Sequence, residues 1–94
     1  MGNEAEMKPL RPFSEFKEGD GIFAVMDATG DTKTIWDKSK PDEVEAARLQ
    51  FTHLRSKGYL AYRATGKEGE KGEQLNEFDQ NAERIVFAPP MSGG

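Results

Sequence analysis

The sequence predicts an α+β domain, a mixed sheet with one helix packed across it. Three observations carry that expectation. Two stretches of period-two alternation flank a glycine near residue 30, helical periodicity runs from Val44 to Leu54, and one short continuous apolar run, Ile85-Val86-Phe87-Ala88, lies near the C-terminus. A chain of 94 residues has room for one such core and not for two.

The first two strands form a hairpin. Ile22, Ala24 and Met26 alternate with Phe23, Val25 and Asp27, and alternation resumes from Thr32 to Trp36. Between them Gly30 can take the positive φ that a short hairpin connection needs. The helix comes next. Ser39-Lys40-Pro41-Asp42-Glu43 offers either a capping hydroxyl or a proline at the first helical position, with acidic residues in the first turn. Val44, Ala47, Phe51 and Leu54 then fall on one stripe. Arg48, Arg55 and Lys57 weight the far end positively, as the helix dipole prefers, and Gly58 closes the element.

After Gly58 the period returns to two, with Leu60, Tyr62 and Ala64 set against Tyr59, Ala61 and Arg63. The continuous run at residues 85–88 reads as a strand covered on both faces, hence a central one. Residues 75–78 fit either a short edge strand or one turn of helix. Residues 1–20 carry two prolines and no sustained periodicity, and read as a flexible N-terminal arm, disordered or loosely docked through Leu10, Phe13 and Phe16. Residues 65–73, TGKEGEKGE, read as a mobile surface loop. The domain proper is then expected over residues 21–90, followed by an exposed tail at 91–94.

Composition removes several function classes. Leu, Ile, Val and Phe number 17 of 94, enough for a modest core but not for a large substrate pocket. A net charge of −4 repels a nucleic-acid duplex, and the basic residues are interleaved with acidic ones, so no nucleic-acid partner is expected. The absence of cysteine excludes disulfides, thiol catalysis and zinc–thiolate sites. No apolar run approaches a membrane span or a signal-peptide core, so no membrane partner is expected and the cytoplasm follows by elimination.

The catalytic patterns that can be tested fail on chemistry. Asp27-Ala28-Thr29-Gly30-Asp31 approaches an aspartic-protease loop, but an alanine interrupts it and one small domain lacks the second carboxylate. Gly66, Gly69 and Gly72 are spaced by three, yet glutamates stand between them where a phosphate cradle needs bare amides. His53 is the only histidine, so no histidine pair can hold a metal. It lies on the helix away from the apolar stripe, near Leu49. The two read either as ordinary exposed residues or as a partner surface. The sequence therefore predicts no enzyme, no metal and no cofactor.

The C-terminus carries the strongest motif. Ala88-Pro89-Pro90-Met91-Ser92-Gly93-Gly94 leaves an apolar strand, loses two amide donors at Pro89 and Pro90, and ends in two glycines. Prolines there end sheet pairing and project the tail, while Gly93 and Gly94 let backbone pass through a narrow channel. The stretch from Glu83 to Gly94 resembles the ends of the ubiquitin-like β-grasp and sulfur-carrier proteins, most closely the small subunits of molybdopterin synthases. The order hairpin, helix, strand, short element, strand is similar too. Outside the tail the resemblance is one of topology; the arm at 1–20 and the loop at 65–73 have no counterpart in it.

That resemblance implies a β-grasp fold and a protein whose Gly94 carboxylate is activated by an adenylating partner enzyme. The activated end would then pass to a sulfur donor, or through a thioester to a conjugation partner. The alternative is a small non-catalytic adaptor or structural domain with a ubiquitin-like fold and no tail chemistry.

Overall fold

In the computed structural model, residues 10–28, 30–65 and 70–90 are described. The chain forms strand β1 (Arg11–Pro12), a 3₁₀ turn (Phe13–Glu15), β2 (Gly21–Asp27), β3 (Gly30–Trp36), helix α1 (Pro41–Ser56), β4 (Leu60–Thr65), β5 (Glu70–Leu75) and β6 (Arg84–Ala88). The six strands make one sheet in the order β1-β3-β2-β6-β4-β5. The β2–β6 pair is parallel and the other neighbours are antiparallel. The fold class is α+β, as the periodicities require.

The continuous run Ile85-Val86-Phe87 is central and buried on both faces, between β2 and β4. Asp27 pairs with Gly30 to close the hairpin, and Gly30 takes a φ of 127°. Helix α1 begins with Pro41 at its first turn. Its N-cap, Lys40, makes no side-chain cap, and the Ser39 hydroxyl donates instead to Asp37 at 2.7 Å. Phe51, Leu54 and Ala47 bury against Ile85, Phe87, Phe23 and Trp36, with Val44 half-buried at the margin. The core is aromatic: the Phe23 ring lies 4.8 Å from Trp36 and 5.1 Å from Phe87, and Phe51 lies 5.6 Å from Phe87. Edge-to-face pairs of this kind add to the burial of a core with few aliphatic residues.

Two sequence expectations need correction. The arm expected over residues 1–20 is part of the fold from Leu10 onward; residues 1–9 lie outside the described residues. Arg11 and Pro12 pair with Ile35 and Thr34, which makes β1 an edge strand, and Leu10 packs on the main core. A two-residue strand shows no periodicity, and polar contacts hold this one. Arg11 donates from Nε and Nη2 to Glu43 Oε1 at 3.1 and 3.0 Å, and the buried Asp20 accepts the Lys17 N–H at 2.9 Å.

The loop expected over 65–73 contracts to residues 66–69, which lie outside the described residues. Glu70–Leu75 is instead an edge strand on β4, its charges being the kind that keep an edge from pairing with other chains. Its register slips at a bulge between Tyr62 and Ala64. There Gly72 passes so close to the Arg63 carbonyl that a Cβ would not fit. Residues 75–78 are neither alternative as a whole: Leu75 ends β5, and Phe78 turns inward to within 5.4 Å of the Trp36 ring.

Candidate functional site

The site begins where β6 hands the chain out of the sheet. Ala88 is half-buried opposite Leu60, and the two prolines after it are exposed. Neither proline has an amide to continue the ladder, so the chain must leave the sheet there. Its exit is braced by the turn after α1. Gly58 has a φ of 96°, and a Cβ built there would stand 3.2 Å from Pro90 Cβ. The glycine thus serves both the left-handed helix end and the close passage of the proline. Gly93 and Gly94, the expected reactive end, lie outside the described residues.

Beside this exit lies the sheet face that α1 does not cover. Register places Ile22, Ala24 and Met26 of β2 on it, together with Arg84, Val86 and Ala88 of β6 and Leu60, Tyr62 and Ala64 of β4. In the middle of this face short side chains sit opposite long ones: Ala24 is paired with Lys33, Val86 with Tyr62, and Ala64 with Arg84. Ala24, Ala64 and Val86 form a small buried cluster there, on the face that α1 does not cover. Near the exit the pattern changes. Met26 is 44% exposed and Leu60 37%, and they lie on either side of Ala88 in three adjacent strands. An apolar row therefore crosses the sheet directly before Pro89 and Pro90. Alternation in the sequence marks these residues as strand residues. It does not show that β2, β6 and β4 are neighbours, so the row stays hidden until the strand order is known.

Comparison with protein-family models, with curated proteins and with solved structures finds no match to this chain.

The opposite end of the uncovered face is roofed by the N-terminal strap. Ile22 and Ile35 face each other across β2 and β3 and are both buried, with the 3₁₀ turn packed against β3. Phe13 and Phe16 stack at 5.4 Å and remain exposed; Phe16 lines a hollow of about 250 Å³ with Ile22, Ala64 and Arg84. Arg11 clamps the strap to α1, and its hydrogen bond to Glu43 raises its pKa further above the usual guanidinium value. Asp37, at the other end of the same cluster, is held below the usual carboxylate range by the hydroxyl and amide of Ser39.

The helix residues singled out from the sequence are both exposed, and lie four residues apart on one face, with Leu49 39% exposed. They stand on α1, away from the tail-side sheet face, so the structure does not bring them together with Pro89 and Pro90. Asp27 and Gly30 close the hairpin as a backbone pair, which is the ordinary turn role for such residues. Gly72 belongs to β5, while Gly66 and Gly69 lie outside the described residues. Among the described residues no group of three His, Asp or Glu side chains could hold a metal ion, and no helix is long and apolar enough to cross a membrane.

Proposed function

We propose that this chain is a β-grasp protein that works as a sulfur carrier or protein modifier, its Gly94 carboxylate being adenylated by a partner enzyme. The supporting observation is the path of β6. It lies parallel to β2 in the middle of the sheet and leads directly through Pro89 and Pro90 into Met91-Ser92-Gly93-Gly94. Without β1, the order β3-β2-β6-β4-β5, with α1 between β3 and β4 in the chain, supports the β-grasp reading.

In this reading the Gly94 carboxylate attacks the α-phosphorus of ATP. The bond to the β-phosphate oxygen breaks, pyrophosphate leaves, and an acyl-adenylate forms. Hydrosulfide then displaces AMP from the acyl carbon to give a thiocarboxylate, or a partner thiolate displaces it to give a thioester. The chain supplies access through bare backbone at Gly93 and Gly94 and a stiff exit at Pro89 and Pro90. The row of Met26, Ala88 and Leu60 is the surface on which the activating enzyme docks beside the tail.

The reading requires a free carboxylate on Gly94 in the working protein, as encoded or after cleavage. Mass spectrometry of the C-terminal peptide recovered from native cells decides it. A terminal oxygen replaced by sulfur, or Gly94 joined to a lysine of another protein, is the expected result. Deleting Gly94, or substituting Gly93→Val, removes either product while leaving thermal stability unchanged. An adaptor would instead bind its partner normally after the Gly94 deletion and give no adduct at all.

A further inference from the structure

The reactive end proposed above has a nucleophile nearby in its own chain. Lys57 is the C-cap of α1, and the next residue, Gly58, is where the turn meets Pro90. We propose that Lys57 is a self-modification site, whose Nζ captures the activated Gly94 acyl group and closes an intramolecular isopeptide bond. The inference rests on the carrier or modifier reading for the activation of Gly94, and adds where the acyl group goes when no partner takes it.

The placement follows from the sheet. Because β6 runs parallel to β2, the tail leaves at the end that holds the β2–β3 hairpin, the start of β4 and the last turn of α1. A Cβ on Gly58 would lie 3.2 Å from Pro90 Cβ, which places the two Cα atoms within about 6 Å of each other. One further Cα step of about 3.8 Å puts the Cα of Lys57 within about 10 Å of that of Pro90. Residues 91–94 span at most about 14 Å, and the four-carbon stem of a lysine adds about 6 Å. The combined reach is about twice the gap, so the ring closes without moving the fold.

The other described lysines are worse placed. Lys33 Nζ pairs with Asp31 at 3.2 Å, and Lys38 Nζ donates to the Asn81 carbonyl at 3.2 Å. Lys17, Lys38 and Lys40 stand at the opposite end of the sheet, beyond the five residues of β6, which span about 17 Å. Lys71 is opposite Ala64 at that far end. Lys57 is exposed, and its ammonium has no hydrogen-bond or ion-pair partner among the described residues.

The step balances with the acyl-adenylate as the only co-reactant. The uncharged amine of Lys57 adds to the Gly94 acyl carbon, the bond from that carbon to the phosphate oxygen breaks, and AMP leaves with the electron pair. The amine proton passes to water. Carrying amine and acyl group on one chain replaces a bimolecular encounter by an effective concentration on the order of millimolar. The product is a lariat with no free Gly94 carboxylate. It cannot be activated again, so the bond retires a carrier whose acyl group has not been handed on.

The test uses the full chain with Gly94 prepared as a mercaptoethanesulfonate thioester by intein thiolysis, which bypasses the adenylating enzyme. At mildly alkaline pH, intact-mass spectrometry should show a product one water lighter than the free acid. Tandem spectra of its tryptic peptides should place the new bond between Gly94 and Lys57. The rate should be independent of protein concentration. Lys57→Arg should slow it at least about tenfold, with an unchanged denaturation midpoint by circular dichroism because the side chain is exposed. In urea the bond should move to lysines nearer in sequence, Lys67 and Lys71, since the shorter loop then closes more readily. The proposal is overturned if the thioester only hydrolyses, if the folded chain joins Gly94 to another amine, or if Lys57→Arg reacts as wild type. A preference for Lys57 that survives in urea overturns it too, as does a rate that rises with protein concentration, which marks the joining of two copies. The carrier reading is decided separately, by the C-terminal peptide from native cells.

Discussion

Gly21→Ala is a sharp test of the core, because one methyl group meets an immovable ring. Gly21 lies opposite Trp36 in the β2–β3 register, and the indole sits over its Cα, so that an added Cβ would fall within the ring. Trp36 cannot swing aside, since it is fully buried between Phe23 and Phe78. Two effects oppose each other. Replacing glycine restricts the unfolded chain and gains about 0.4–1 kcal/mol. Overpacking a closed core costs about 1–3 kcal/mol, and the closeness here places it at the upper end. The clash wins, with a net loss of about 2 kcal/mol. At roughly 0.05–0.15 kcal/mol per residue the whole domain is stable by about 5–14 kcal/mol. The loss therefore lowers the thermal midpoint by about 8–16 °C, at about 4–8 °C per kcal/mol for a domain of this size.

Thermal and urea unfolding followed by circular dichroism measures it. The paired control is Trp36→Phe, whose smaller ring leaves room for the methyl. That change also removes the Trp36 Nε1 donor, which is buried with no acceptor in the described structure. In that background Gly21→Ala should cost little, giving a coupling of opposite sign to the single-mutant loss. An unchanged midpoint for Gly21→Ala, or an equal loss in both backgrounds, refutes the packing argument.

Three further outcomes are expected. Phe51→Ala, which empties the contact between α1 and β6, should cost about 3–5 kcal/mol in urea unfolding, whereas Leu49→Ala on the exposed face should stay within about 0.5 kcal/mol. Arg11→Ala removes the clamp onto Glu43 and Asp20, so amide exchange should accelerate over residues 10–16 while β6 keeps its protection. Asp37 is held below its ordinary value of about 3.9, so its contribution is complete above that pH and lost as pH falls through the lowered value; Asp37→Asn should remove that part of the acid transition in a pH series of unfolding curves.

The elements themselves were written in short-range pattern. Period-two alternation at Ile22–Asp27, the stripe of Val44, Ala47, Phe51 and Leu54, and the glycines at 30 and 58 each act within a few residues, so a linear reading finds them. The central place of Ile85-Val86-Phe87 follows the same way, because burial on both faces leaves no polar alternation behind. The chain also carried its own motif, Pro-Pro followed by Gly93 and Gly94, in plain order.

What the linear pattern lacked was anything that depends on which strands become neighbours. β1 exists because Arg11 reaches Glu43, a partner 32 residues away, and β5 exists because a charged segment finds the free edge of β4. The row of Met26, Ala88 and Leu60 is drawn from three strands far apart in sequence. Local periodicity is set by the backbone's own repeat, whereas a surface is set by the order in which strands pair. That order is settled by burying Phe23, Trp36 and Phe87 together, a collective term that no short window of residues contains.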